Sequence, residues 1–268
     1  MIHSLLMYIT LLIGCLLAWP ALGDYADVHG LKMYYEVHGT GRPVLLLHGG
    51  MTTIHFSFAA QIPVLAKNHR VIAVEQMGHG HTADVVGRAL SYEGMADDTF
   101  AFLVQQGIRS VDLIGFSDGG QIALRLAFTH PELVQRVVVS GVGFGPQSVE
   151  QQKALLALSA DRLPKSFRDE YDRVSPDGPE HWPVFFQKVK TMWSKPGWGI
   201  SQAELATIKA PVLLVFGDRD FTSVEEAALI RHSIPGAQLC VLPGVGHGTF
   251  IERPEWLNPI MLDFLDRN

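Results

Sequence analysis

Residues 111–120, Val111-Asp112-Leu113-Ile114-Gly115-Phe116-Ser117-Asp118-Gly119-Gly120, constrain this chain more than any other stretch. The apolar run 111–114 has the length and character of a buried strand. It leads into Gly115-Phe116-Ser117-Asp118-Gly119, a G-x-S-x-G pattern. Ile122, Ala123, Leu126 and Ala127 then recur at helical spacing until Pro131 ends the run. A strand, a one-residue corner and a helix are thus joined at Ser117. Such a corner forces strained backbone at the serine and needs small neighbours where strand and helix cross. Gly115 and Gly119 supply them. The hydroxyl is then held at the carboxyl end of a sheet, with a helix amino terminus behind it. The plainer alternative is a glycine-rich turn with a surface serine, and the partners of Ser117 weigh against it.

A serine hydroxyl is a poor nucleophile at neutral pH. It needs a base within hydrogen-bond reach, and the base needs an orienting carboxylate. His247, in Gly244-Val245-Gly246-His247-Gly248, follows the last strand-like run, and its flanking glycines let that loop approach Ser117. The acid is Asp218 or Asp220, in Gly217-Asp218-Arg219-Asp220. The order serine, acid, histidine is the one expected with this elbow. Acyl transfer also needs donors for a developing oxyanion. One is the backbone N–H of Asp118; the other is Gly50 or, as the alternative, Met51, in the loop after Leu47. The Asp118 side chain has a simple reading as a carboxylate at a helix amino terminus. His79 and His81 are read as residues of a glycine turn, because no partner Asp, Glu or Cys stands at metal-ligand spacing. No G-x-G-x-x-G or G-x-x-x-x-G-K pattern occurs, so neither a cofactor nor a metal is expected.

Along the chain, residues 28–37 suggest a hairpin turning at His29-Gly30, and residues 44–47, 70–74, 137–139, 211–216 and 238–242 read as further strands. Helices are expected over 58–66 (with Pro63 in its middle), from a cap at Ser91 to Gly107 with Ala96, Phe100 and Leu103 inward, and over 256–265. Another runs to Ile234 from a capping box of Ser223 and Glu226. Between residues 141 and 206 the strand-like runs stop and aromatics gather: Trp182, Phe185, Phe186, Trp193 and Trp198. Ser201 and Glu204 form a second capping box there. This stretch reads as a helical insertion without a core of its own. Alternating strands and helices make the fold class α/β, a mainly parallel sheet covered on both faces. Ligand sites in such sheets gather at the strands' carboxyl ends, where His48, Ser117, Asp220 and His247 all fall.

A chain of 268 residues, 47% apolar, suits one domain with a large core. Its net charge of −6 without a basic block argues against nucleic acid as a partner. Residues 1–23 carry no Lys, Arg, Asp or Glu, and Ala21-Leu22-Gly23 places small residues at a cleavage site. They are read as a signal peptide, making the protein exported (periplasmic or secreted). The alternatives are an uncleaved membrane anchor, the one membrane contact expected, or a lipoprotein signal with Cys15 as the modified residue.

Taken in order, Val44-Leu45-Leu46-Leu47-His48-Gly49-Gly50, Gly78-His79-Gly80, the Ser117 elbow, His130-Pro131-Glu132-Leu133, Gly217-Asp218-Arg219-Asp220 and Gly246-His247 resemble the α/β-hydrolase superfamily from Val28 onward. The resemblance implies an eight-stranded, mostly parallel sheet with an antiparallel first hairpin, helices on both faces, and a lid formed by the insertion at about 141–206. It implies Asp220, three residues after the glycine, as the acid in preference to Asp218. Serine in the elbow resembles the esterase and lactonase branches; relatives acting as dehalogenases or epoxide hydrolases place Asp there. The expected activity is hydrolysis of small carboxylic esters or lactones that are partly apolar or aromatic. The alternatives are perhydrolysis or carbon–carbon bond hydrolysis by the same triad, and a non-catalytic binding protein on a hydrolase scaffold.

Overall fold

The computed structural model describes residues 23–145 and 148–267. The export or anchor segment expected over 1–23, with Cys15, lies outside them up to residue 22. Among the described residues no helix is long and apolar enough to cross a membrane.

The chain opens with a hairpin, β1 (Asp24–Val28) and β2 (Leu31–His38). His29 and Gly30 form its turn, both with positive φ (50° and 79°). The hairpin begins four residues before the expected 28–37, because exposed Asp24, Tyr25 and Asp27 alternate with buried Ala26 and Val28 on an edge strand. Next come β3 (Arg42–Leu47), α1 (Ile54–Phe58), α2 (Ile62–Leu65) and β4 (His69–Val74). The single helix expected over 58–66 is therefore two short ones. Pro63 has no N–H and is tolerated only in a first turn, so a new helix starts around it.

Then follow α3 (Tyr92–Gln105), β5 (Val111–Phe116), α4 (Asp118–Thr129) and β6 (Val134–Ser140). Ser91 caps α3 by accepting the Gly94 N–H. Ala96 and Leu103 are buried as expected, whereas Phe100 is half-buried and stacks on the His130 ring. The segment between β6 and the next strand is helical where described: α5 (Val149–Leu156), α6 (Lys165–Val174), α7 (Trp182–Ser194) and α8 (Gln202–Leu205). The Ser201–Glu204 capping box at α8 is complete. β7 (Val212–Gly217), α9 (Val224–Ser233), β8 (Gln238–Leu242), α10 (Thr249–Glu252) and α11 (Pro254–Asp266) close the chain. At α9 only half of the expected box forms. Ser223 accepts the Glu226 N–H, but the Glu226 carboxylate accepts the N–H of Phe144, in the chain leaving β6. A tertiary donor has displaced the local one.

The strands form one eight-stranded sheet in the order β1-β2-β4-β3-β5-β6-β7-β8. The β1–β2 and β2–β4 pairs are antiparallel and the rest parallel. β5 and β7 are buried along their whole length, as strands covered on both faces must be. One apolar core lies on each face. The first joins the sheet to α3 and to Tyr171, Trp182, Phe185, Phe186 and Val189 of the helical segment, so that segment shares the main core. The second packs Leu46, Ile114 and Val215 beneath Phe58, Phe250, Leu257 and Phe264.

Candidate active site

At the end of β5 the chain turns in a single residue. Ser117 has φ 53° and ψ −116°, a conformation that side chains rarely adopt. The strain persists because the surroundings over-determine it. Ser117 N–H donates to Ser140 O at 2.7 Å, and Ser117 O accepts from the N–H groups of Gly120 and Gln121. The crossing leaves no room for side chains: a Cβ on Gly115 would lie 2.4 Å from Gly119 O, and one on Gly119 would lie 1.9 Å from Leu47 O.

Two loops bring the partners of Ser117. His247, after β8, has Nε2 2.9 Å from Ser117 Oγ and Nδ1 2.9 Å from Asp220 Oδ1. The carboxylate fixes the tautomer: Nδ1–H donates to Asp220 and Nε2 is free to accept the serine proton. The Asp220 side chain is fully buried, and its Oδ1 also accepts the Thr222 N–H. The other acid candidate, Asp218, is exposed and accepts the Gly244 N–H instead, which braces the turn after β8. Gly141 (φ 67°) lies against the His247 ring, where a Cβ would stand 2.5 Å from Cε1.

The loop after β3 flanks Ser117 on the opposite side. His48 is buried; its Nδ1–H donates to Gly49 O at 2.8 Å and its Nε2 accepts the Gln76 N–H at 3.0 Å. Burial lowers the His48 pKa, which keeps the imidazole neutral and suited to both roles. Beyond the loop, Ile54 N–H donates to buried Glu75, and His55 donates to buried Glu36 at 3.1 Å. Burial pushes the Glu36 carboxyl up, but hydrogen bonds from His38, His55 and Tyr34 outweigh it and hold the pKa well below the usual range. Gly50 lies against Asp118, whereas Met51, of positive φ (57°), is buried.

The Asp118 side chain does more than face a helix dipole. It is buried at the start of α4, accepting from Tyr92 Oη at 2.6 Å and from Trp193 Nε1 at 3.0 and 3.1 Å. Burial raises its pKa from 3.8 to about 6, against the opposing pull of those donors. Sequence reading missed this cluster. Its only trace was an acidic residue beside the nucleophile, and Tyr92 and Trp193 lie far away along the chain.

His79 and His81 do not converge on a common ligand. His79 is buried and donates from Nδ1 to Met77 O; His81 Nδ1 lies 2.9 Å from Glu75 Oε2. Burial, with His48 nearby, pushes the His79 pKa down to about 3. Among the described residues, no group of three or more His, Cys, Asp or Glu side chains could hold a metal ion.

Comparison with known proteins identifies the family. Residues 44–260 match the model of the "Alpha/beta hydrolase family". The chain is similar to a 2-hydroxymuconate semialdehyde hydrolase of Pseudomonas sp. (strain CF600), with 27% identity over 92% of this chain and 94% of that one. It is also similar to a putative carbamate hydrolase, RutD, of Stutzerimonas stutzeri (strain A1501), with 26% identity over 87% and 96% of the two chains. Among solved structures, Est816, described as an N-acyl homoserine lactone degrading enzyme, superposes with a TM-score of 0.73 at 28% identity, covering 90% of this chain and all of that one.

Proposed function

The chain belongs to the α/β-hydrolase family, and from that premise we propose a serine hydrolase that cleaves small carboxylic esters or lactones through an acyl-enzyme on Ser117. The observation that carries this reading is the unbroken relay from Ser117 through His247 to Asp220, with 2.9 Å at each link. Ser117 Oγ attacks the carbonyl carbon while its proton passes to His247 Nε2. Asp220 steadies the imidazolium that forms. The carbonyl oxygen, now negative, is held by the N–H groups of Asp118 and Gly50, which flank Ser117 at the start of α4 and in the loop after β3. Collapse breaks the carbon–oxygen bond to the leaving alcohol, which takes the proton from His247. Water then attacks the acyl-enzyme, giving its proton to His247, and the acid departs as Ser117 regains its hydrogen.

The test is hydrolysis of p-nitrophenyl butanoate and of a γ-lactone. Replacing Ser117 with Ala is expected to lower kcat by about a million-fold. Turnover that survived the substitution would overturn the mechanism. A fluorophosphonate that failed to label Ser117 would point instead to a binding protein.

A second reading, hydrolysis of a carbon–carbon bond by the same relay, draws on the similarity to the 2-hydroxymuconate semialdehyde hydrolase. Faster turnover of a vinylogous diketone acid than of any ester would favour it over the ester reading.

A further inference from the structure

Sheet order makes the two flanks of Ser117 chemically different. β3, with Gly50, lies next to β5 on one side; β7 and β8, with Asp220 and His247, lie beyond β6 on the other. An ester bound for attack sets its carbonyl oxygen between the N–H groups of Gly50 and Asp118 and its leaving oxygen toward His247, so its acyl chain leaves on the side away from His247, the side of Gly50 and Trp193.

The Gly50 flank is closed by a fixed aromatic. A side chain on Gly50 would come 2.3 Å from Asp118 Oδ2 and 2.8 Å from Trp193 Cζ2, so the indole already fills that space. Trp193 is held at both ends. Its Nε1–H is shared between the two Asp118 oxygens, and its carbonyl accepts the Trp198 Nε1–H at 2.5 Å. Trp198 in turn packs on Tyr92. The His247 flank instead carries an exposed aromatic ring, with the Glu252 carboxylate turned back onto the N–H groups of Gly246 and Gly248. Phe221 lies over the imidazole with ring centroids 4.0 Å apart, and the residue is 78% exposed. An exposed phenyl ring against the group that protonates the leaving oxygen is a ready platform for an apolar alcohol.

Building on the ester-hydrolase reading above, we infer that the substrates are esters of short acyl groups with bulky apolar or aromatic alcohols. Trp193, clamped by Asp118, ends the acyl site, and Phe221 receives the alcohol. Asp118 and Trp193 act here as specificity-determining residues, separately from the relay.

Two ratios measured on the full chain test this, each cancelling the fraction of active enzyme. The first is kcat/KM for p-nitrophenyl octanoate over butanoate. Removing the wall in Trp193→Ala is expected to raise it at least about tenfold, and Asp118→Ala, which releases the clamp, is expected to raise it in the same direction. The second is kcat/KM for benzyl over ethyl butanoate, two leaving groups of similar basicity. Phe221→Ala is expected to lower it about fivefold or more, with ethyl butanoate little affected. Should Trp193→Ala fold poorly, Trp193→Phe keeps an aromatic ring against the core while giving up the hydrogen bond to Asp118, and the first ratio still rises. Either ratio unchanged in variants whose hydrolysis still depends on Ser117 overturns the inference and leaves the hydrolase reading intact. Hydrolysis that persists in Ser117→Ala overturns both.

Discussion

At the residue scale, the site is built as much by missing atoms as by functional groups. Gly119 brings the first turn of α4 against the backbone of β3, and a methyl group there would meet the Leu47 carbonyl at 1.9 Å. Backbone cannot give way as a flexible side chain can. Gly119→Ala is therefore expected to cost about 3 kcal/mol or more, read as a lower midpoint in denaturant titration. Asp220→Asn keeps the shape of the acid but loses the charge that fixes the His247 tautomer, so kcat is expected to fall about a thousand-fold or more with little change in KM. Asp118 makes a separate, pH-dependent prediction. Its pKa is about 6 in the folded protein and ordinarily 3.8, so between about pH 4 and 6 the folded state binds the extra proton. This group therefore takes stability away as pH rises through that window. Asp118→Asn removes the effect. Its melting temperature relative to the native protein is expected to increase from pH 4 to pH 7, by the equivalent of roughly 2–3 kcal/mol. A difference that stayed flat over this range would mean that the carboxyl is not raised.

At the element scale, the question is what holds the helical segment over the sheet. α7 is bolted to the loop after β4 by Lys188, whose ammonium donates to Asp84 at 2.7 Å and to the carbonyls of Val85 and Arg88. The Asp84 side chain is itself buried and also pairs with His181. Replacing Lys188 with Met preserves the apolar stem and removes three charge-assisted hydrogen bonds. The expected cost is about 2 kcal/mol, with faster proteolysis in residues 148–206 than elsewhere. The capping elements show how far local rules reach. The Ser201–Glu204 box follows from four residues of sequence and forms as expected. The equivalent box at α9 loses its second half to Phe144, a donor contributed by a distant part of the chain.

At the scale of the whole molecule, the sheet separates two cores, and the helical segment belongs to the larger one instead of having its own. Trp182, Phe185 and Phe186 are buried with residues of β5, β6 and β7. Unfolding should therefore be a single cooperative event. Tryptophan fluorescence, with Trp182, Trp193 and Trp198 in the segment, and far-ultraviolet circular dichroism are expected to give coincident denaturant transitions. An earlier fluorescence transition would show that the segment melts by itself.

What could be read from sequence was whatever short-range covalent order controls. Apolar runs marked the strands, glycines at the elbow announced the close crossing and the strained Ser117, and the meeting of Ser117, His247 and an acid from residues 218–220 followed from strand ends that a parallel sheet must bring to one rim. Pattern alone left open whether Asp218 or Asp220 would face the imidazole, because both lie in one loop and only its path past β8 separates them; the family resemblance favoured Asp220, and the geometry places it at His247. The carboxylate of Asp118 was decided wholly by tertiary structure. A buried charge is stable only where donors surround it, and here those donors, Tyr92 and Trp193, come from α3 and α7. Local sequence sets the direction in which a backbone turns, while the neighbours of a buried polar group depend on elements packed from far along the chain.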